Sequence, residues 1–254
     1  MNQLDWERTQ ENFTISSVSR LTSSPWRVAI SEYQVGEGSL VSGSYLNTQT
    51  VDGSFERFRE SAPPRGLNIN GTFLIDISSY EPATIKGVEI QLRYAVDDVG
   101  ERWFLRAYNW TARSYSDSGF NSTTGHLPIS GWNSYAVNLT DKWHSYVWND
   151  GTIIIQLRDQ IPDATRTNVD IDYLAVRVGL KGTVFTFKNE GSRTTHIVSI
   201  WVNNAEAHSR YETDLFVNSA ETYSYTRADI SLPTGQYIVR VVTERGNIAV
   251  YANG

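Results

Sequence analysis

Apolar and polar residues alternate with a period of two along most of the chain. Val88, Ile90, Leu92 and Tyr94 interleave with Glu89, Gln91 and Arg93. Trp103, Leu105 and Ala107 interleave with Phe104, Arg106 and Tyr108, and Val239 and Val241 with Ile238, Arg240 and Val242. A period of two marks a strand with one face in a core. Strands are predicted near 26–33, 39–46, 54–59, 67–77, 84–94, 102–110, 134–139, 152–158 and 169–178, and again near 183–188, 195–202, 210–217, 223–227, 236–243 and 247–251. No window carries a capped helical period. The best helical segment, 4–11, is too short to hold alone.

The spacing of these strands sets the organisation. Residues 1–24 are rich in Ser and Thr and read as a polar leader or linker with room for one strand. Residues 25–178 hold about nine short antiparallel strands, which suits a jelly roll. Pro63-Pro64-Arg65-Gly66 breaks two of them, and 113–131 is a long loop. Gly179-Leu180-Lys181-Gly182 is the expected boundary. Beyond it, 183–254 fits a small immunoglobulin-like sandwich, with turns at Asn189-Glu190-Gly191-Ser192 and Pro233-Thr234-Gly235. The fold class is therefore all-β: two β-sandwiches, a larger jelly roll followed by a small immunoglobulin-like domain.

Composition narrows the chemistry. The 254 residues are 40% hydrophobic, enough for a real core. With 22 basic against 28 acidic residues the net charge is −6, which gives no reason to expect a nucleic-acid partner. The chain has no cysteine, so disulfides, thiol catalysis and cysteine-ligated metals are excluded. No apolar run is long enough to span a membrane, and Met1-Asn2-Gln3-Leu4-Asp5 does not read as a secretory signal.

Catalytic motifs are missing. There is no Gly-x-Ser-x-Gly elbow, phosphate loop or His-Glu-x-x-His. His126, His144, His196 and His208 are scattered, and His196, in an apolar strand, reads as a satisfied structural residue. A glycosidase needs only two carboxylates across a cleft, and Glu89, Glu101, Asp159, Asp170 and Asp172 are candidates. The competing reading is a solvated sheet laced with cross-strand ion pairs to arginines such as Arg93, Arg106 and Arg158.

The sharpest feature is the strand at 102–110. With Trp103, Leu105 and Ala107 inward, Phe104, Arg106, Tyr108 and Trp110 fall on the other face. Rings can stack on sugars while polar groups take the hydroxyls. Arg93, Gln156 and Arg158, with Gln91, have the alternation to join this surface. The alternative is that the 113–131 loop roofs it. Asp159 and Asp163 offer two carboxylates beside a sheet end and are the candidate ligands of a structural calcium, with an unliganded polar turn as the competing and default reading; Asp117, Ser118, Asn121 and Thr123 form a second oxygen-rich loop. No other cofactor is expected. Asn12, Asn70, Asn109, Asn121 and Asn138 begin glycosylation sequons, compatible with export.

Phe185-Thr186-Phe187-Lys188-Asn189-Glu190-Gly191-Ser192, His196 through Asn203, and Gly235 through Asn247 with its Val-Thr-x-Arg-Gly-Asn hairpin together resemble the extracellular β-sandwich domains of archaeal surface proteins, including type IV pilin-like and archaellum-associated secreted domains. A pilin-like protein would also carry a prepilin leader and a long apolar N-terminal helix, which this sequence does not show. More loosely, Gly71 through Ile77 and Val169 through Val178 resemble galactose-binding-like and carbohydrate-binding jelly rolls.

These features lead to the expectation of a non-catalytic secreted or cell-surface protein acting in adhesion, envelope attachment or filament assembly. Its partner would be a glycan or a cell-envelope protein, or a second copy through self-association. The alternative is a carbohydrate-binding module of a secreted glycan-active enzyme. A catalytic role for Glu89, Asp170 or Asp172 is the third reading.

Overall fold

The alternation is realised strand by strand. The computed structural model describes residues 10–62, 66–122, 125–160 and 166–253, and the regular structure among them is antiparallel strands with short 3-10 turns. Among them no helix is long and apolar enough to cross a membrane. The chain divides between Leu180 and Lys181 into two units, residues 23–180 and residues 181–253 with 10–22.

The first strand is β1 (Phe13–Arg20), which belongs to the smaller unit. The larger unit contains β2 (Arg27–Val28), β3 (Gln34–Glu37), β4 (Ser39–Ser42), β5 (Glu56–Arg59), β6 (Asn68–Leu74), β7 (Ile85–Val96), β8 (Trp103–Asn109), β9 (Ser114–Ser116), β10 (Asn133–Leu139), β11 (Thr152–Asp159) and β12 (Asn168–Leu180). One sheet runs β10-β7-β12-β5-β4, with β2 also on β12; the other runs β3-β6-β11-β8-β9. From β5 to β8 and from β10 to β12, successive strands alternate between the sheets, which is the wrapping of a jelly roll. Phe58, Ile69, Phe73, Leu92, Trp103, Ile155, Leu157 and Val169 fill the space between. Each such side chain contributes roughly 1.5–3 kcal/mol relative to exposure.

Several expected elements differ. The strand expected at 26–33 is only Arg27–Val28, and the one at 39–46 stops at Ser42 before a 3-10 turn over Tyr45–Thr48. β9 lies inside the segment read as a loop, because three residues are too few to show a period. Most of the helical segment at 4–11, and the Pro63-Pro64-Arg65 break, lie outside the described residues.

The smaller unit adds β13 (Thr183–Asn189), β14 (Thr195–Asn203), β15 (His208–Val217), β16 (Thr222–Arg227), β17 (Tyr237–Thr243) and β18 (Ile248–Asn253). Its sheets are β1-β13-β16 and β15-β14-β17-β18. They close on Phe185, Phe187, Ile197, Ile200, Val217, Val239 and Val241, among others. β1 is the strand for which residues 1–24 left room, and it joins the smaller unit: Phe13 through Arg20 pair with Asn189 through Thr183. A bulge between Ile15 and Ser17 sets the two inward residues, Ile15 and Val18, three apart. That spacing hides the strand from a search for period two.

A candidate glycan-binding face

The outer face of the five-stranded sheet carries the side chains predicted from 102–110 and 152–158. On β8, Trp103, Leu105 and Ala107 are buried and Phe104, Arg106 and Tyr108 turn the other way. On β11, Ile153, Ile155 and Leu157 face the core, which leaves Gln156 and Arg158 on the outer side. Register then builds rows. Gln156 lies between Asn70 and Arg106, and Arg158 between Asn68 and Phe104. Gln156 Nε2 donates to Asn70 Oδ1 at 3.1 Å. Next to this polar end, Glu37, Asn68, Gln156, Arg158 and Asp159 line a cleft of about 310 Å³.

The other end is aromatic. Tyr108 pairs with Tyr115 on β9, their rings 5.3 Å apart. Trp110 stands edge-on to Tyr108 at 5.0 Å, and its Nε1 donates to the Tyr146 carbonyl at 3.1 Å, which fixes the ring. Trp148 continues the strip, 4.9 Å from Trp110 and 47% exposed. A tight turn holds it: Gly151 N donates to Trp148 O and Trp148 N to Thr152 O, each at 2.8 Å. Sequence reasoning missed Tyr115 and Trp148, because both sit where no alternation runs.

The loop at 113–131 covers part of this face. Gly125, at φ +69°, lies against the Phe104 ring, where a Cβ would come within 2.8 Å. Phe104 is therefore a packing residue beneath the loop, whereas Trp148 stands open. Arg93 does not belong here. It lies on β7 in the other sheet, because alternation shows which way a side chain turns but not which sheet holds its strand.

The outer side of that other sheet is an ion-pair and ring network. Arg93 bonds Asp172 and lies 4.8 Å over Trp132. Arg57 grips both oxygens of Asp170 at 2.6 Å and lies over Phe55. Arg177 bonds Glu89 at 2.6 Å and lies 4.3 Å over Trp26. Three of the carboxylates considered for catalysis are thus each bonded to a guanidinium.

Asp159 points inward from β11 and is 3% exposed. Leu67 N donates to its Oδ2 at 3.0 Å, and burial pushes its carboxyl above the usual carboxylate range. The expected calcium partner, Asp163, lies outside the described residues. The carboxylates found beside Asp159 are those of buried Glu60 and Glu101, with oxygens within 4.8 Å of one another. Such an all-oxygen set is what a hard cation takes.

Together these features define a two-sandwich β protein whose larger unit presents an aromatic strip running into a polar cleft. Residues 46–173 match the N-terminal glycosyl-hydrolase-114-associated domain, and the chain belongs to that family. The match lies within the larger sandwich and does not reach the C-terminal unit. No curated protein matches. Among solved structures, the glycoside hydrolase domain of Endo-D from Streptococcus pneumoniae R6 is similar at 7% identity over 87% of this chain and 36% of that one, with a TM-score of 0.36. Two structures of a GH2 β-galacturonidase from Eisenbergiella tayi, bound to galacturonate and to glycerol, are each 12% identical over 95% of this chain and cover 44% and 43% of theirs, with TM-scores of 0.20 and 0.21. The chain spans less than half the length of each of these structures.

Proposed function

We propose that the larger sandwich is a carbohydrate-binding module of a secreted glycan-active enzyme, and that the ligand lies along the outer face of the five-stranded sheet. The observation that carries this reading is the Tyr115-Tyr108-Trp110-Trp148 strip leading into Gln156 and Arg158. Rings give the apolar faces of pyranoses a stacking surface, and the amides and guanidinia beside them suit hydroxyls. From Arg106 to Trp110 the strand direction spans about 13 Å, room for two or three sugar rings. Membership of a family named for its association with glycosyl hydrolases supports this reading over adhesion or filament assembly. Pairing of Glu89, Asp170 and Asp172 with arginines supports a ligand that is held over one that is cleaved by these carboxylates.

A glycan array followed by titration calorimetry tests the proposal. Binding of at least one glycan is expected, with Tyr108→Ala and Trp148→Ala each weakening it about fivefold or more, the size of a principal anchor. A blank array, or binding indifferent to both substitutions in proteins that melt like the parent, overturns it.

A further inference from the structure

Among the described residues, the same face contains two arginines without an ion-pair partner, although Glu37 lies in the cleft that Arg158 lines. We propose that the glycan held there is an acidic one, a uronic-acid polymer, and that Arg106 and Arg158 receive its carboxylate. This rests on the glycan-binding reading and adds the ligand's charge to it.

Arg158 stands across from Phe104, and Arg106 across from Gln156. The two arginines are therefore diagonal neighbours on adjacent strands, with backbones about 7–8 Å apart. Several other arginines are matched to carboxylates, Arg57 to Asp170, Arg93 to Asp172, Arg177 to Glu89 and Arg227 to Asp229, while Arg20 and Arg59 bond uncharged oxygens. Among the described residues neither Arg106 nor Arg158 has a carboxylate within ion-pair distance. Among the described residues Arg106 Nε, cut off from water, finds no acceptor. Arg158 uses only its Nε, on the Asp159 carbonyl at 3.1 Å, while lining the cleft. Burial and then the Arg106 charge lower its basicity, more than Asp159, Glu37 and Asp117 raise it.

Two neighbouring cations without an ion-pair partner repel each other, and an anion seated between them relieves that cost. A guanidinium fork fits the planar, two-oxygen edge of a carboxylate. The adjoining rings and the Asn68 and Gln156 amides suit an anion carried on a sugar. With a net charge of −6, the whole molecule repels a polyanion, so acid selectivity must come from this local pair.

The test is calorimetry of the full chain with alginate, polygalacturonate and hyaluronan, each beside its own carboxyl-reduced form, at physiological ionic strength. At least one acid polymer is expected to bind roughly tenfold or more tightly than its reduced form, as charge-assisted bonds imply. Arg158→Gln and Arg106→Gln should erase the difference while leaving the residual binding, and Arg240→Gln, on the smaller sandwich, should change nothing. Should Arg106→Gln melt early, Arg158→Gln decides alone. Equal or tighter binding of the reduced forms, a preference that survives Arg158→Gln, or binding of dextran sulfate in place of the carboxylated chains overturns the inference. Neutral glycans binding where acids do not overturns it while sparing the glycan-binding reading. Failure of acid, reduced and neutral glycans alike ends both.

Discussion

The guanidinium of Arg93 bonds Asp172, a carboxylate no solvent reaches, across neighbouring strands of the six-stranded sheet. Asp172 Oδ1 also accepts from Gly53 N at 2.9 Å. Removing one member of a buried pair strands the other, so Asp172→Ala is expected to cost about 3–5 kcal/mol by equilibrium denaturation. Asp170, on the same strand, pairs with an Arg57 that is 39% exposed. Asp170→Ala should cost only about 1 kcal/mol or less. Equal losses would show that burial does not set the value of these pairs.

Glu56 points inward from β5 at 1% exposure, and its Oε2 has no hydrogen-bond partner. Burial, with the nearby Glu32 charge, pushes its carboxyl from 4.5 up to about 7. The folded state therefore holds this proton more tightly than the unfolded chain. Stability falls as pH rises from the unfolded value through about 7, and the raised acid Asp159 contributes in the same direction. Glu56→Gln should match the parent near pH 4 and exceed it above pH 8, by at most roughly 3 kcal/mol. Denaturation curves at the two pH values check this; a constant difference would refute the account.

His196 is clamped across β15, β14 and β17. Its Nε2 meets Asp214 at 2.7 Å, its Nδ1 meets Glu244 at 3.0 Å, and the ring stacks on Phe216 at 4.1 Å. The bond to Glu244, then that to Asp214, raises its pKa against the pull of burial. A raised imidazole stabilises the fold below its unfolded pKa, and the benefit is lost as pH rises through the folded one. Titration by NMR should place it above 6.5, and Glu244→Gln with Asp214→Asn should bring it down. Both carboxylates are largely exposed, so added salt should shrink the shift.

The inward rows of β7, β8, β11 and β17 were legible because each strand buries one face without interruption. The outward row Phe104-Arg106-Tyr108 followed from the same alternation. Arg93 was misplaced because its alternation is identical to that of Arg106, and only long-range pairing distinguishes the two sheets. Trp148 was hidden for a different reason: it belongs to a turn, where hydrogen bonds at Gly151 and Thr152 set direction. The Glu60-Glu101-Asp159 cluster joins residues from three distant segments, and nothing local in the sequence links them.

How far the 113–131 loop guards the binding face can be measured at Gly125. Its φ of +69° is strained for any side chain, and a Cβ there meets Phe104 at 2.8 Å. Gly131 has a similar φ, +85°, with nothing within 4 Å. Gly131→Ala thus costs only the left-handed backbone penalty, about 1–2 kcal/mol. Gly125→Ala bears that penalty and must also move the ring or lift the loop. Beyond Gly125 the loop is anchored: His126 exchanges two backbone bonds with Trp103, at 2.8 and 2.9 Å, and its Nδ1 meets Tyr94 Oη at 2.7 Å. The expected outcome is a larger stability loss for Gly125→Ala than for Gly131→Ala, with the His126 and Trp103 amides still protected from hydrogen exchange. Equal losses would mean that the loop rests on Phe104 without holding it.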